Sequence, residues 1–250
     1  MTDFAIISDL HSNLEALEAV FHRIEQLGIE EVVCLGDVVG YGADPGPTTR
    51  MVMQRCKWTI LGNHDWGLFH TLEEFNPLAR EALQFSRRKL KPSLFTPQRR
   101  PAWNFLRTLP ERMEDHGYLF VHGSPRDPVM EYVLKSDGFL EPEKMRHIFS
   151  KLDRPCFVGH THWPGIHRSD FQFVQATEEC REFKINGEPC IVNVGSVGQP
   201  RDGDIRASFA VVSDGTVEIQ RVPYDFRKTQ AKILAAGLHP ALAERLARGK

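Results

Sequence analysis

The sequence predicts an α/β fold, with a mostly parallel sheet near the N-terminus and a second, more antiparallel sheet towards the C-terminus. Three observations carry that expectation. Short apolar runs end abruptly in polar residues flanked by glycine, helix-spaced apolar positions alternate with those runs, and from about residue 170 the texture changes to short β-like runs.

Taken in order, the run FAII stops at Ser8 and Asp9. Leu14, Leu17, Val20, Phe21, Ile24 and Leu27 then fall at helical spacing and end at Gly28, which reads as strand, helix, stop. VVCL ends in Gly36-Asp37. After a loop rich in Gly and Pro, WTIL ends in Gly62-Asn63-His64-Asp65, and YLFVHG and CFVGHTH repeat the pattern. Residues 66–116 mix helix with Pro-containing loop and are expected to form an insertion over the strand tips. FQFVQATEE, EFKI, PCIVNVG, ASFAVVS and TVEIQRV read as the strands of the second sheet, with Asp214-Gly215 as a hairpin turn between the last two. The segment 225–250 reads as a helical tail interrupted near Gly237 to Pro240. Neither repeats nor a linker divide the chain, so residues 1–250 are expected to form a single domain.

Composition narrows the class. In 250 residues, 41% hydrophobic and 26% charged, there is no apolar run long enough to span a membrane. MTDFAIISDLHSN lacks a basic start and its apolar stretch is broken early, so no signal peptide and a cytoplasmic location are expected. Five cysteines (Cys34, Cys56, Cys156, Cys180, Cys190) form no CxxC pair and are read as buried thiols. A net charge of −2 supplies no global field for a polyanion, which argues against nucleic acid and membrane partners. The basic stretch SRRKLKPSLFTPQRRP is read as a solvated face rather than a polyanion patch.

In open α/β sheets, ligands bind beyond the carboxyl ends of the strands. Here those ends carry Asp9 and His11, Asp37, Asn63 and His64, His122, and His160 and His162. Strand alternation is expected to aim His160 and His162 to one side, and likewise Asp9 and His11. Singly, each is an ordinary cap or core residue. As a set, they supply oxygen and imidazole donors suited to Mn, Fe, Zn, Co or Ni, without thiolate. Asp37 can offer one oxygen to each of two cations, and a pair about 3.5 to 4 Å apart would activate water against a phosphate ester.

The motifs Asp9-Leu10-His11, Gly36-Asp37, Gly62-Asn63-His64-Asp65, Val121-His122-Gly123 and Gly159-His160-Thr161-His162 stand in the order DxH, GD, GNH(D/E), H and GHxH. In this the chain resembles the calcineurin-like metallophosphoesterase superfamily over residues 3 to about 213. Its texture, with GDVVGYGADP and NVGSVGQPRDGD, resembles the small bacterial and archaeal phosphatases and phosphodiesterases of the diadenosine tetraphosphatase type. The resemblance implies a four-layer α/β/β/α sandwich of two mixed β-sheets flanked by helices. It implies two divalent ions, Mn foremost, with Fe, Zn, Ni, Co or Mg as alternatives. Asp9, His11, Asp37 and His162 would hold one ion, and Asp37, Asn63, His122 and His160 the other. His64 would face the substrate as a general acid, with Asp65 orienting its imidazole through a hydrogen bond.

Weaker signals surround these motifs. The loop 193–201 is expected to wrap the site, with backbone N–H groups and Arg201 on a phosphate oxygen, and Arg126 is a second phosphate candidate. Tyr41 and Trp66 are read as packing rather than as a base-stacking pair. No GxxxxGK[ST], HExxH, GxSxG or complete GxGxxG motif is present. The expected function is hydrolysis of a phosphodiester or phosphomonoester, on a small molecule, nucleotide or dinucleoside polyphosphate, by a hydroxide bridging the metals. A nuclease on DNA or RNA and a non-catalytic scaffold on the same fold are the alternatives, and the oligomeric state stays open.

Overall fold

The structure is a computed structural model that describes residues 3–250. Its first half runs β1 (Phe4–Ile7), α1 (Leu14–Gln26), β2 (Glu31–Cys34), α2 (Pro45–Arg55), β3 (Trp58–Thr59) and α3 (Asn63–Gly67). Next come α4 (Pro77–Leu90), a 3₁₀ turn (Pro97–Arg99), α5 (Arg100–Arg107), β4 (Arg112–Asp115) and β5 (Tyr118–Val121). There follow α6 (Asp137–Leu140), α7 (Pro142–Phe149), β6 (Cys156–Val158), β7 (Gly165–His167), β8 (Phe173–Gln175) and β9 (Glu182–Lys184). The chain closes with β10 (Ile191–Asn193), β11 (Ala207–Ser213), β12 (Thr216–Val222), α8 (Phe226–Ala235), α9 (Pro240–Glu244) and a second 3₁₀ turn (Arg245–Ala247).

The continuous apolar runs reflect strands buried on both faces. In β1, Phe4 and Ile6 join a core shared with Val33, Phe120, Phe157, Val192 and Ala210. Ala5 and Ile7 point the other way, against Leu17, Val20 and Phe21 of α1. Likewise Tyr118 and Phe120 of β5 face that shared core, while Leu119 and Val121 pack on Met145 and Ile148 of α7. Two sheets therefore stack with helices on each outer face, giving the α/β/β/α layering.

The strand orders are β3-β2-β1-β11-β12-β9 and β4-β5-β6-β10-β7-β8. This corrects one expectation: the C-terminal strands do not make a sheet of their own. β11, β12 and β9 extend the sheet begun by β1, whereas β10, β7 and β8 complete the sheet of β4 to β6. β10 is parallel to β6 but antiparallel to β7, and β1 is parallel to β2 but antiparallel to β11, so both sheets are mixed. Asp214 and Gly215 take φ of 44° and 72° between β11 and β12, as a two-residue hairpin turn requires.

The segment 66–116 is also more integrated than an insertion. Its last strand, β4, pairs along β5 as a sheet edge, and Leu83, Leu90, Ala102 and Leu106 of its helices belong to the core on α1 and α2. Phe75 of this segment touches the polar cluster, with its ring 5.7 Å from that of His64. The tail from α8 onward packs Ile233, Leu242 and Leu246 against Ala79 and Ala82 of α4 and against Tyr41. Cys34, Cys156 and Cys190 are buried as expected, but Cys56 is half-buried and Cys180 exposed. No helix among the described residues is long and apolar enough to cross a membrane.

Candidate metal centre

The parallel strands β1, β2 and β3 of one sheet and β5, β6 and β10 of the other hand the chain to loops at their carboxyl ends, and those loops meet. Asp9, His11, Asp37, His122, His160 and His162 are all buried there, with Asn63 and His64 beside them. Donor atoms of Asp9, His11 and His162 lie within 4.8 Å of one another, as do those of Asp37, His122 and His160. The same holds for His11, Asp37 and His64. Asp37 stands between the groups: its Oδ2 is 3.7 Å from His11 Nε2 and 3.5 Å from His122 Nε2. Asn63 brings Oδ1 to 3.2 Å from His122 Nε2.

The convergence does not come from strand alternation. β1 stops at Ile7 and β6 at Val158, so Asp9, His11, His160 and His162 lie past the strand ends. They take left-handed backbone instead, with φ of 54°, 47°, 66° and 61°, and Asp37 shares it at 52°. Each such non-glycine residue costs about 1 kcal/mol, and the clustering of that strain marks a functional site. Neighbouring glycines allow the close approach: a Cβ on Gly159 would overlap Ser8 Oγ and Asp9 Oδ2, and one on Gly62 would overlap Asp37.

The ring orientations are fixed from behind. Nδ1 of His122 donates to the Leu35 carbonyl at 2.8 Å, that of His11 to Val39 at 3.3 Å and that of His162 to Gln199 at 2.5 Å. With the proton on Nδ1, the Nε2 atoms of His11 and His162, whose rings burial keeps neutral, present lone pairs to the cluster. Nε2 of His11 and His162 then face each other at 3.1 Å. Two lone pairs that close repel unless a cation or a shared proton lies between them, so the donor set fits metal ions.

Electrostatics agree. Burial opposes ionisation of Asp9, yet the charge and hydrogen bond of His162 outweigh it and hold the carboxyl below its usual range. Asp37 is likewise held low against burial, chiefly by His122 and His64. Burial alone would lower His122, but Asp37 beside it lifts the ring to about 9. His160 is pulled down to about 3 and His64 to about 4, in both cases first by burial.

Several expected contacts are corrected. Asp65 does not orient His64: its carboxylate accepts from the backbone N–H groups of Val38, Val39 and Gly62, at 3.2, 3.1 and 3.4 Å. It stabilises the turn that follows Asp37, while Nδ1 of His64 is buried without a partner. Arg126 is tied to Glu131, which also accepts from Ser124, so its charge is already neutralised. The loop after β10 braces the site rather than offering free amides: Val197 and Gly198 donate to the carbonyls of Ser8 and Asp9, and Gln199 to Ser196 Oγ. Arg201 keeps its guanidinium towards the cluster, 5.9 Å from the Tyr41 ring. Tyr41 is buried against His11 and His64, whereas Trp66 stacks on His70 at 3.9 Å.

Two contributors lie outside every motif and loop singled out in the sequence. Tyr132 stacks on His160 with centroids 3.6 Å apart, and Arg245 comes in from the C-terminal 3₁₀ turn, 5.6 Å from the Tyr41 ring. Nothing in residue type or spacing announces them, because they arrive from separate segments. Within the 193–201 loop, Gln199 fixes His162 through its backbone carbonyl.

Known proteins complete the picture. The profile of the calcineurin-like phosphoesterase superfamily domain matches residues 3–214. An uncharacterised protein of Methanocaldococcus jannaschii is 33% identical over 255 residues, covering 98% of each chain. The crystal structure of a metallophosphoesterase from Sphaerobacter thermophilus is 36% identical and superposes with a TM-score of 0.84, covering 100% of this chain and 99% of the other. A hypothetical protein from Pyrococcus horikoshii shares the fold, with a TM-score of 0.78 at 19% identity and the same coverage. The chain therefore belongs to the calcineurin-like phosphoesterase superfamily, and it is a hydrolase of phosphoric esters whose clustered His and Asp side chains are suited to metal ions.

Proposed function

We propose that the protein is a dinuclear metal-dependent phosphoesterase acting on a small-molecule or nucleotide phosphate. Asp9, His11, Asp37 and His162 would hold one divalent ion, and Asp37, Asn63, His122 and His160 the second. The observation that carries this reading is the pair of opposed Nε2 atoms of His11 and His162, at 3.1 Å, with both Nδ1 atoms committed to carbonyls. Two cations in such a cage supply Lewis acidity, lowering the pKa of water and neutralising charge on phosphate oxygens. An all-oxygen-and-imidazole donor set suits Mn, which we take as the first candidate. The five unpaired thiols support a reducing, cytoplasmic setting.

The chain's own residues do the rest. Asp37 anchors the loop that carries His64, since Oδ1 accepts from the His64 N–H at 2.8 Å. His64, held neutral by burial, retains a ring proton for the leaving oxygen, and a phosphate anion beside it favours the charged form. Tyr132 and Tyr41 cover rings of the cluster and limit water. The net charge of −2 and the engagement of Arg87 with the carbonyls of Gly67 and His70 weaken the nuclease alternative.

Metal-stripped protein should be reloaded separately with Mn, Ni, Co, Zn and Mg and assayed on bis-p-nitrophenyl phosphate and p-nitrophenyl phosphate. His64→Ala is expected to keep two metal equivalents while kcat falls roughly 100- to 10,000-fold. Asp37→Asn should lose metal and activity together. Release of metal by His64→Ala would refute the role given to His64, and two tight metals in Asp37→Asn would refute the shared ligand.

A further inference from the structure

Three half-buried arginines of this protein, Arg154, Arg206 and Arg221, have a carboxylate partner. Arg206 pairs with Asp204, and Arg221 with Asp202. The two beside the metal centre do not. Arg201 and Arg245 both donate to one neutral oxygen, Oε1 of Gln199, each at 3.2 Å. Nε of Arg201 is buried without a partner. Burial and the like charge of Arg201 push Arg245 below the usual guanidinium range. Two cations held against each other in a half-buried place are costly unless an anion comes between them.

Their placement says which anion. Arg201 belongs to the loop whose Gln199 carbonyl holds the His162 ring, and Arg245 comes in from the C-terminal 3₁₀ turn. The two guanidiniums lie 5.9 and 5.6 Å from the Tyr41 ring that covers His11 and His64. The two segments are fastened together where Gly203 N–H donates to the Gly249 carbonyl at 2.9 Å. Leu242 and Leu246 anchor Arg245 on α4.

We propose that Arg201 and Arg245 form a subsite for a second phosphoryl group, so that the substrate carries at least two phosphoryl groups in succession, with Arg245 setting that preference. This rests on the phosphoesterase reading above and narrows its substrate. The reaction remains a hydrolysis: the oxygen of water forms a new bond to phosphorus, the bridging P–O bond breaks, and the leaving phosphoryl oxygen departs as the anion or with a proton. Planar guanidinium forks match adjacent phosphoryl oxygens in two-point contact.

The test uses the full chain with Mn and two probes that are not hydrolysed, methylenebisphosphonate and methylphosphonate, with affinities read by calorimetry. Wild type should prefer the bisphosphonate at least tenfold. Arg245→Gln should weaken the bisphosphonate about tenfold or more and methylphosphonate less than about threefold, as loss of one charge-assisted contact predicts. Gln199→Glu places a carboxylate between the guanidiniums, so it should abolish the preference while raising the melting temperature. That second variant keeps the test alive if Arg245→Gln folds poorly. Equal weakening of both probes would mean that the arginines grip the single phosphate at the metals, and no weakening would mean that they are structural; either result overturns the subsite. If Mn does not bind, the dinuclear reading fails by itself. An Arg245-dependent preference in the metal-free chain would then still uphold the subsite.

Discussion

At the scale of single residues, the centre depends as much on what is missing as on what is present. Asp9 can sit beneath the GHTH loop because Gly159 has no side chain; an added methyl would occupy the space of Ser8 Oγ and Asp9 Oδ2. The backbone N–H of His160 also donates to both Asp9 oxygens, at 3.2 and 3.0 Å, so the two loops move as one. Gly159→Ala is therefore expected to displace Asp9, lower metal content below two equivalents and destabilise the fold by about 1–3 kcal/mol. Metal analysis with thermal melts checks this, and full loading at the wild-type melting temperature would contradict it. Every ligand candidate was legible in the sequence, because Asp, His and Asn beside glycine at strand ends have few other reasons to recur. What was not legible was how they converge. Left-handed backbone at Asp9, His11, Asp37, His160 and His162 replaces the expected alternation, and a local strain of that kind is imposed by the convergence of the loops, not by the residues' own preferences.

At the scale of elements, strand existence was readable and strand partnership was not. The runs FAII, YLFV and CFV declare themselves by apolar continuity, yet nothing in PCIVNVG says that β10 pairs with β6 on one side and β7 on the other. Pairing is decided by which faces bury together, a long-range outcome. The same reason hid Arg245 and Tyr132, which reach the site only after the tail and the 124–135 loop have docked. The inter-sheet layer makes this measurable. Phe157 is fully buried and stacks on Phe120 with centroids 5.4 Å apart and planes 13° apart, joining neighbouring strands of one sheet under the other. Phe157→Ala should cost about 3–5 kcal/mol in chemical denaturation. Phe95, at 93% exposure, provides the contrast: Phe95→Ala should change stability by less than about 0.5 kcal/mol. A small loss at Phe157 would show that the two sheets are not locked by this layer.

At the scale of the whole molecule, the two sheets are joined far from the metal centre by a polar clamp at their edges. Asp115, at the end of β4 in one sheet, accepts from Lys57 Nζ and Trp58 Nε1, both at 2.9 Å, at the start of β3 in the other. Lys57 also reaches Glu31 at 3.1 Å, and His116 reaches the same carboxylate at 2.5 Å while its ring stacks on Phe4 at 4.5 Å. Burial would raise the Asp115 carboxyl, but the hydrogen bonds of Trp58 and Lys57 bring it down to about 2. A carboxyl depressed in the folded state stabilises above its unfolded value, near 3.8, and that contribution is lost as pH falls towards 2. Because the pair is partly exposed, solvent screening leaves about 1 kcal/mol, or roughly 2–4 °C in melting temperature for a chain of this size. Asp115→Asn keeps an acceptor for Trp58 and removes only the charge. It should melt lower than wild type at pH 7, and the gap should close between about pH 4 and pH 2. Added salt should narrow it at neutral pH. Carboxylates of the metal centre titrate equally in both proteins and cancel in the difference. A gap that persists undiminished at pH 2 would mean that Asp115 acts through shape alone, and that the edges of the two sheets are held by packing rather than by charge.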